Sequence, residues 1–204
     1  MVDRSENRQS EEPAREPKKV FEKYLRDLQL TPDDLRKSIL DIGSWKGEFE
    51  EELRKEVPNA RIVSVDQHDY PDYGVKAVNI EALPFPDESF ELVLSHNALP
   101  TVVAFACGDR DAPTWSEAEK TIKASLAEMV RVTAVGGETR LNHIAETEGG
   151  KPWVKTFDKV KRAVEETLLK LNKQVQAEFL FMGTDQVNSA LKHTYLLKIK
   201  KVPR

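Results

Sequence analysis

The stretch from Ser38 to Phe49 constrains the fold more than any other part of the chain. An apolar run ends there at an acid, a glycine turn follows, and a helical pattern then begins. This order is typical of a buried parallel strand that leads into a helix packed on the sheet. Gly43 permits the turn and the close approach of a ligand to the backbone. Gly47 lets the new helix lie against the strand, and the first N–H groups of that helix can bind a polar or anionic ligand.

Composition limits the classes of protein that remain. The 204 residues are enough for one α/β domain, and 39% hydrophobic and 32% charged residues are typical of a soluble globular protein. No apolar run could span a membrane and no signal-peptide pattern is present, so we expect no membrane partner. The single cysteine, Cys107, excludes an internal disulfide and favours the cytoplasm. The four histidines lack the spacing of a metal site, and the net charge of −4 argues against broad nucleic-acid binding.

The chain divides into a tail and one domain. We expect residues 1–17 to be a disordered tail, because they are polar, charged and broken by prolines, and residues 18–204 to form a single domain. Two long loops, 100–113 and 146–153, follow predicted strands and are candidates for functional lids. The spacing of apolar residues predicts helices over Lys18–Leu30, Gly47–Glu56, Thr114–Val132 and Phe157–Leu171, and strands over Ser38–Ile42, Ala60–Val65, Val75–Val78, Leu92–Ser95, Thr139–Ile144, Val175–Met182 and Thr194–Lys200.

Polar residues with possible chemical roles stand at the ends of the predicted strands. Asp66 ends the second strand about two dozen residues after the glycine turn, where a carboxylate can accept hydrogen bonds from ribose hydroxyls. By itself Asp66 is equally well explained as a solvated loop acid, but beside the glycine turn the binding role is favoured. His96 and His143, near the ends of the fourth and fifth strands, are candidates for a catalytic base or a substrate contact. A histidine that is merely hydrogen-bonded explains each of them at least as well.

The glycine turn resembles the first motif of class I S-adenosylmethionine-dependent methyltransferases, Asp-x-Gly-x-Gly-x-Gly. Its positions are occupied here by Asp41, Gly43, Trp45 and Gly47, so a tryptophan replaces the middle glycine. The segment Asn79–Phe90 is similar to the Asp-x-x-x-Leu-Pro-Phe-x-x-x-x-Phe pattern of the type 11 small-molecule methyltransferases, with asparagine in place of the first acid. A later Gly-Gly turn also resembles the family, although the Lys-Pro pair before it is absent.

The resemblance implies a fold, a cofactor and a set of contacts. The implied fold is α/β and Rossmann-like, with a doubly wound, mostly parallel seven-stranded sheet and an antiparallel C-terminal strand pair. The implied cofactor is S-adenosylmethionine. In the family, the residue at the position of Asn79 lies near the adenine amino group, and the next backbone N–H, here that of Ile80, meets an adenine ring nitrogen. An asparagine oxygen can still accept a hydrogen bond. The cofactor-binding residues predicted in this way are Asp41, Gly43, Trp45, Gly47, Asp66, Gln67, Asn79, Ile80 and Ser95.

Three interpretations of the function stay open, and methyl transfer is favoured. A methyltransferase must align acceptor and methyl group and remove a proton where required. The alternative is a catalytically inactive methyltransferase fold with a binding or regulatory role, because the indole of Trp45 could fill cofactor space. That indole could equally point away, since only the backbone need approach the ligand. A nicotinamide-dependent oxidoreductase is disfavoured, because Gly43-x-x-x-Gly47 does not give Gly-x-Gly-x-x-Gly.

The sequence favours a small molecule or a protein side chain as the methyl acceptor. The segment Ser95–Leu99 is not the Asn-Pro-Pro-Tyr motif of many nucleic-acid amino-methyltransferases. A basic stripe motivates an RNA acceptor, but such a stripe is more often a solvated helix face. Its members are Lys151, Lys155, Lys159 and Arg162.

Overall fold

A computed structural model describes residues 15–99, 114–148, 156–171, 174–187 and 190–203 of the chain. The strands are β1 (Ser38–Ile42), β2 (Arg61–Asp66), β3 (Lys76–Ala77), β4 (Phe90–Ser95), β5 (Thr133–Glu148), β6 (Val175–Val187) and β7 (Ala190–Lys201). The α-helices are α1 (Pro17–Asp27), α2 (Glu48–Glu56), α3 (Trp115–Val132) and α4 (Thr156–Lys170), with 3₁₀ turns at Asp34–Arg36 and Pro71–Tyr73. The predicted loop 100–113, most of the predicted tail, and Lys151 and Lys155 lie outside the described residues.

All seven strands form one sheet in the order β3-β2-β1-β4-β5-β7-β6. The pairs β1–β2, β1–β4, β2–β3 and β4–β5 are parallel, whereas β7 is antiparallel to both β5 and β6. The chain winds outward from β1 to β3 and then crosses to β4 on the other side of β1. The carboxyl ends of β1 and β4 therefore flank the point at which the winding reverses, where open α/β sheets bind ligands.

The sheet separates two apolar cores, and successive side chains of β4 pack into opposite cores. Leu92 and Leu94 pack with α1 and α2 in one core, whereas Val93 packs with α3 and α4 in the other. Successive side chains of a strand point to opposite faces, so an uninterrupted apolar run suits a strand that is covered on both sides. Strand β4 is thus enclosed by apolar side chains on both faces.

A buried arginine fixes the C-terminal end of α1 against the sheet. The guanidinium of Arg140, on β5, donates to the carbonyl oxygens of Leu28 at 3.2 Å and Gln29 at 2.9 Å. The same group pairs with the carboxylates of Asp34 at 3.0 Å and Glu138 at 2.7 Å. Arginine suits this place because its planar fork can serve several acceptors at once. Helix α1 is consequently held where its residues can reach the carboxyl end of β4.

Some element boundaries differ from the sequence expectations. Helix α1 ends at Asp27 rather than Leu30, because Gln29 takes a left-handed conformation with φ of 50°. The same helix begins at Pro17, inside the predicted tail. Strand β5 continues through Glu146–Glu148, predicted as a loop, because these residues pair with β7. The predicted start of α3 at Thr114 is marked by a capping box, in which Thr114 and Glu117 bond each other's backbone N–H. None of the helices in the described ranges has the length and apolar character needed to cross a membrane.

Candidate functional site

A pocket of about 280 Å³ lies at the carboxyl ends of β1, β2 and β4. This volume is near the lower end of the range for small-molecule sites, which is roughly 300–1,000 Å³. A larger cavity of about 440 Å³ lies elsewhere, beside Glu88, Arg131 and Lys201, and contains none of the predicted site residues. The smaller pocket is lined by Arg15, Ile42, Gly43, Trp45, Asp66, Gln67, Val78, Ile80, His96, Asn97, Ala98 and Leu99.

The glycine turn packs directly against the segment that follows β4. Gly43 has a φ of 76°, and its N–H donates to the carbonyl oxygen of Val65 at 2.9 Å. A Cβ atom on Gly43 would lie only 2.2 Å from the Cβ of Ala98. Gly47 has a left-handed φ of 74° and stands at the start of α2, outside the pocket lining. The structure thus brings Gly43, but not Gly47, to the predicted site.

The indole of Trp45 forms part of the pocket wall. Its ring lies 5.8 Å from that of Tyr70, centroid to centroid, and the guanidinium of Arg15 lies 5.5 Å from its centroid. Trp45 has a φ of 56°, an uncommon value for a residue other than glycine. The indole Nε1 is buried and has no hydrogen-bond partner within the part of the chain that the structure describes. A pocket therefore exists with the tryptophan in place.

Asp66 connects the turn after β1 to the end of β2. One carboxylate oxygen accepts the N–H of Trp45 at 3.0 Å, and the other accepts the N–H of His68 at 3.1 Å. A carboxylate has about four acceptor positions, so each oxygen can accept a further hydrogen bond. Gln67 also lines the pocket. The predicted pair at the end of β2 is therefore at the pocket, with acceptor capacity left for hydroxyl donors.

The predicted adenine contacts are divided between a side chain that lines the pocket and one that does not. Ile80 contributes to the apolar wall together with Val78 and Leu99. The Asn79 side chain is exposed, and its oxygen accepts the N–H of Glu81 at 2.9 Å. That oxygen therefore holds a local turn, and the pocket lining does not include Asn79.

Two further predicted contacts are buried away from the pocket lining. The Asp41 carboxylate is fully buried, and both of its oxygens lie 3.2 Å from the hydroxyl of Tyr24, which donates to them. Burial raises the pKa of Asp41 to about 8, even though the hydrogen bond from Tyr24 acts in the opposite direction. The Ser95 hydroxyl accepts the N–H of Leu99 at 3.0 Å and is also fully buried. Neither residue belongs to the pocket lining, and the cofactor-binding roles of Asp41 and Ser95 stay predictions from the sequence.

His96 is the candidate base that the structure places at the pocket. Its Nε2 lies 3.0 Å from a carboxylate oxygen of Asp27, and its Nδ1 lies 3.3 Å from the amide nitrogen of Asn97. One face of the imidazole stacks on Tyr24, with ring centroids 4.4 Å apart. The backbone of His143 belongs to β5, but its side chain lies outside the described residues. The next residue, Asn97, is fixed by donating its N–H to the side-chain oxygen of Asn142 at 2.7 Å.

Sequence reasoning missed three residues that shape this site. Arg15 was placed in the tail, yet it lines the pocket and donates its N–H to Glu48 at 3.0 Å. Tyr24 and Asp27 were treated only as parts of an amphipathic helix. The position of Asp27 carries a signal, because an acid in the last turn of a helix is unfavourable with the helix dipole and calls for another partner.

The fold and the position of the pocket indicate the class of protein to which the chain belongs. A doubly wound sheet with an antiparallel final strand, and a pocket at the β1–β4 switch, is the arrangement expected for a class I methyltransferase. Residues 40–141, half of the chain, match the family model described as a methyltransferase domain, type 11. The chain belongs to this family of methyltransferase domains, which confirms the resemblance inferred from the sequence.

Curated relatives are similar to part of the chain. The ubiquinone/menaquinone biosynthesis C-methyltransferase of Xanthomonas campestris is 30% identical over 139 residues, which are 60% of this chain and 47% of that protein. The chain thus spans about half the length of the curated relatives it matches.

Two solved structures share the fold. The geranyl diphosphate C-methyltransferase of Streptomyces coelicolor, in complex with S-adenosyl-L-homocysteine, has a TM-score of 0.55 at 10% identity, over 91% of this chain and 76% of that one. The N-methyltransferase NodS of Bradyrhizobium japonicum, also with S-adenosyl-L-homocysteine, has a TM-score of 0.51 at 15% identity, over 92% and 87% of the two chains.

Proposed function

We propose that the pocket between the carboxyl ends of β1, β2 and β4 holds S-adenosylmethionine, and that the acceptor is a small molecule which must lose a proton during methylation. The observation that carries the proposal is that Asp66, Arg15 and His96 line one pocket. These residues supply a hydrogen-bond acceptor, a cation and a candidate base. The pocket therefore contains both the groups that would hold the cofactor and a group that could act on its acceptor.

The residues present fit this cofactor. The free acceptor positions of Asp66 suit ribose hydroxyls, and the guanidinium of Arg15 suits a carboxylate. Val78, Ile80 and Leu99 provide an apolar wall for an adenine ring. When bound, S-adenosylmethionine supplies a methyl group activated by a sulfonium centre. The chain must then orient the acceptor, exclude water and take up a proton.

His96 is the residue we propose to take up that proton. It is 8% exposed and lines the pocket, so a ligand can reach it while bulk water is largely excluded. A histidine changes its protonation state near neutral pH, as a general base requires. In the proposed step, a ring nitrogen of His96 accepts the proton of the acceptor and later returns it to water.

A small molecule is favoured over a macromolecule as the acceptor. The names of the curated relatives, and of the geranyl diphosphate enzyme that shares the fold, refer to small-molecule substrates. The basic stripe that motivated an RNA acceptor gains no support, because Lys159 stands 5.4 Å from the Trp115 ring centroid as part of a local packing contact. A protein side chain as acceptor and a cytoplasmic location remain expectations from the sequence alone.

The test is a calorimetric titration with S-adenosylmethionine of wild type and two variants. Asp66→Ala removes the ribose acceptor and should weaken binding by about 1–3 kcal/mol. Asp72→Ala removes the same charge from an exposed residue outside the pocket lining and should bind as wild type does. Equal affinities of folded Asp66→Ala and wild type would contradict the proposed position of the cofactor.

A further inference from the structure

The surroundings of His96 define which of its ring nitrogens carries the proton when the ring is neutral. The Asp27 carboxylate, 3.0 Å from Nε2, can only accept a hydrogen bond when ionised, so Nε2 must be the donor. The amide nitrogen of Asn97, 3.3 Å from Nδ1, can only donate, so Nδ1 must be the acceptor. The two contacts agree on one tautomer, with the proton on Nε2 and a lone pair on Nδ1.

The contact at Nδ1 is the one that an acceptor molecule could replace. At 3.3 Å it is longer than the usual 2.9–3.0 Å of an N–H donor bond. Asn97 is exposed, unlike Asp27, whose side chain is 22% exposed. A bound molecule could therefore displace the Asn97 amide and place its own proton against Nδ1.

Helix α1 holds His96 from two directions. Asp27 contacts the edge of the imidazole, and Tyr24, one turn earlier on the same helix, covers its face. Tyr24 is itself stacked on Phe49, with ring centroids 4.2 Å apart, and donates its hydroxyl to the buried Asp41. Residues three apart lie on one face of a helix, so a single docked helix sets both contacts.

Helix stability does not explain an acid at position 27. Asp27 is the last residue of α1, where a negative charge is disfavoured by the partial charge of the helix terminus. Arg26 pairs with one of its oxygens at 2.8 Å, which leaves the other for His96. Burial raises the pKa of the Asp27 carboxyl, but the hydrogen bonds from His96 and Arg26 outweigh burial and keep it below its ordinary value. The carboxylate is thus ionised near neutral pH, as an acceptor from Nε2 must be.

We propose that Asp27 is a positioning residue for methyl transfer: it holds His96 in the Nε2-protonated tautomer, with the Nδ1 lone pair available to a proton of the acceptor. This deepens the proposed function and rests on it, because it takes His96 as the base. The arrangement parallels general acid–base sites in which a carboxylate fixes the tautomer of a histidine and stabilises its protonated form. It makes α1, which precedes the motif region, part of the catalytic apparatus.

Several charged and titratable groups lie around His96. From α1 these are Asp27, Tyr24 and, behind Asp27, Arg26. From β1 and α2, the carboxyls of Asp41 and Glu48 lie behind Tyr24 and act on it. Arg15 and Asp66 line the same pocket. Asp27 lies within hydrogen-bonding distance of the imidazole, at 3.0 Å, so its substitution should have a large effect.

The test uses the ring nitrogen resonances of the full chain, enriched in ¹⁵N-histidine, in the absence of cofactor and acceptor. A His96→Gln variant identifies the signals of His96 among those of the four histidines. In wild type at alkaline pH, we expect His96 to be protonated at Nε2 and not at Nδ1. In Asp27→Asn we expect a mixture of tautomers, and the second proton should be taken up at lower pH than in wild type, because the neighbouring negative charge is gone.

Two comparisons separate positioning from a structural role. Asp27→Glu should restore the wild-type tautomer. Asp33→Asn, which removes an exposed acid paired with Arg36, should leave the His96 signals unchanged. An Nδ1-protonated wild type would overturn the proposal, and so would an unchanged tautomer in folded Asp27→Asn. If Asp27→Asn does not fold, the His96 tautomers of wild type and of Asp27→Glu test the proposal. Because neither ligand is present, failure here is distinct from failure of wild type to bind S-adenosylmethionine, which would contradict the proposed function instead.

Discussion

Gly43 is the residue at which backbone conformation and ligand approach are most tightly linked. Its φ of 76° is unfavourable for a residue with a side chain, and a Cβ atom would collide with Ala98 at 2.2 Å. We expect Gly43→Ala to displace the segment after β4 and to abolish detectable binding of S-adenosylmethionine. Gly74→Ala is the matched control, since Gly74 has a φ of 72° and nothing within 4 Å of an added Cβ. Calorimetry on both variants checks this, and normal binding by Gly43→Ala would show that the turn does not meet the ligand.

The buried carboxyl of Asp41 should make the stability of the protein depend on pH. Burial raises the pKa of Asp41 from 3.8 to about 8 in the folded protein. Between these two values the folded state keeps a proton that the unfolded state releases, so the free energy of unfolding should fall as pH rises. The slope from this group is about 1.4 kcal/mol per pH unit. Below pH 3.8 both states are protonated and this contribution is fully present.

Asp41→Asn should remove this dependence, because asparagine accepts from the Tyr24 hydroxyl without titrating. We expect the variant to gain stability relative to wild type as pH is raised from about 4 to 8. Denaturant unfolding at a series of pH values measures the difference, and Asp72→Asn controls for loss of a surface acid. A constant difference between wild type and Asp41→Asn over this range would mean that Asp41 is ionised in the folded protein.

At the scale of elements, one buried cation contributes to the docking of α1. Arg140 on β5 serves two carbonyl oxygens at the end of α1 and two carboxylates. Removing one partner of a buried ion pair leaves the other uncompensated, so Arg140→Gln should lower the free energy of unfolding by about 3–5 kcal/mol. Arg36→Gln breaks an exposed pair with Asp33 and should change it by less than about 1 kcal/mol. Equal effects of the two substitutions on the free energy of unfolding in urea would show that Arg140 does not fix the end of α1 against the sheet.

Local sequence patterns predicted the limits of an element well where a turn signal stands at each of its ends. The apolar run Ser38–Ile42, between a polar turn and a glycine turn, was predicted with the limits that the structure has. Strands β5, β6 and β7 are longer than predicted, because their ends continue to pair through backbone hydrogen bonds, which a hydrophobic pattern does not reveal. Strand β3 is shorter than predicted, since it pairs with β2 at only two positions.

The candidate site was predictable where a residue's role depends on its own neighbours in sequence. Gly43 and Asp66 stand at a turn and a strand end that local patterns mark, and both line the pocket. The contact of Asp27 with His96 joins residues 69 positions apart, and no periodicity encodes it. The motif locates Asp41 in the sequence, but the direction of its side chain is set by the tertiary contact with Tyr24, which the motif does not reveal.

At the scale of the whole molecule, the pocket is formed by segments that are distant in sequence. Arg15 precedes the first described helix, Trp45 follows β1, and Leu99 follows β4, yet all three line it. The indole of Trp45 occupies the place of a family glycine but leaves about 280 Å³ of space beside it. We infer that this space accepts S-adenosylmethionine with the indole in position.

The most direct test is calorimetric titration of the wild-type chain with S-adenosylmethionine and, in parallel, with NAD. We predict saturable binding of S-adenosylmethionine at one site per chain and no binding of NAD. Trp45 forms a wall of the site, so its fluorescence should change during the same titration, and this change should be absent in Trp45→Phe. No detectable binding by folded wild type at S-adenosylmethionine concentrations up to roughly 1 mM, together with binding by Trp45→Gly, would contradict the account by showing that the indole occupies the cofactor's place.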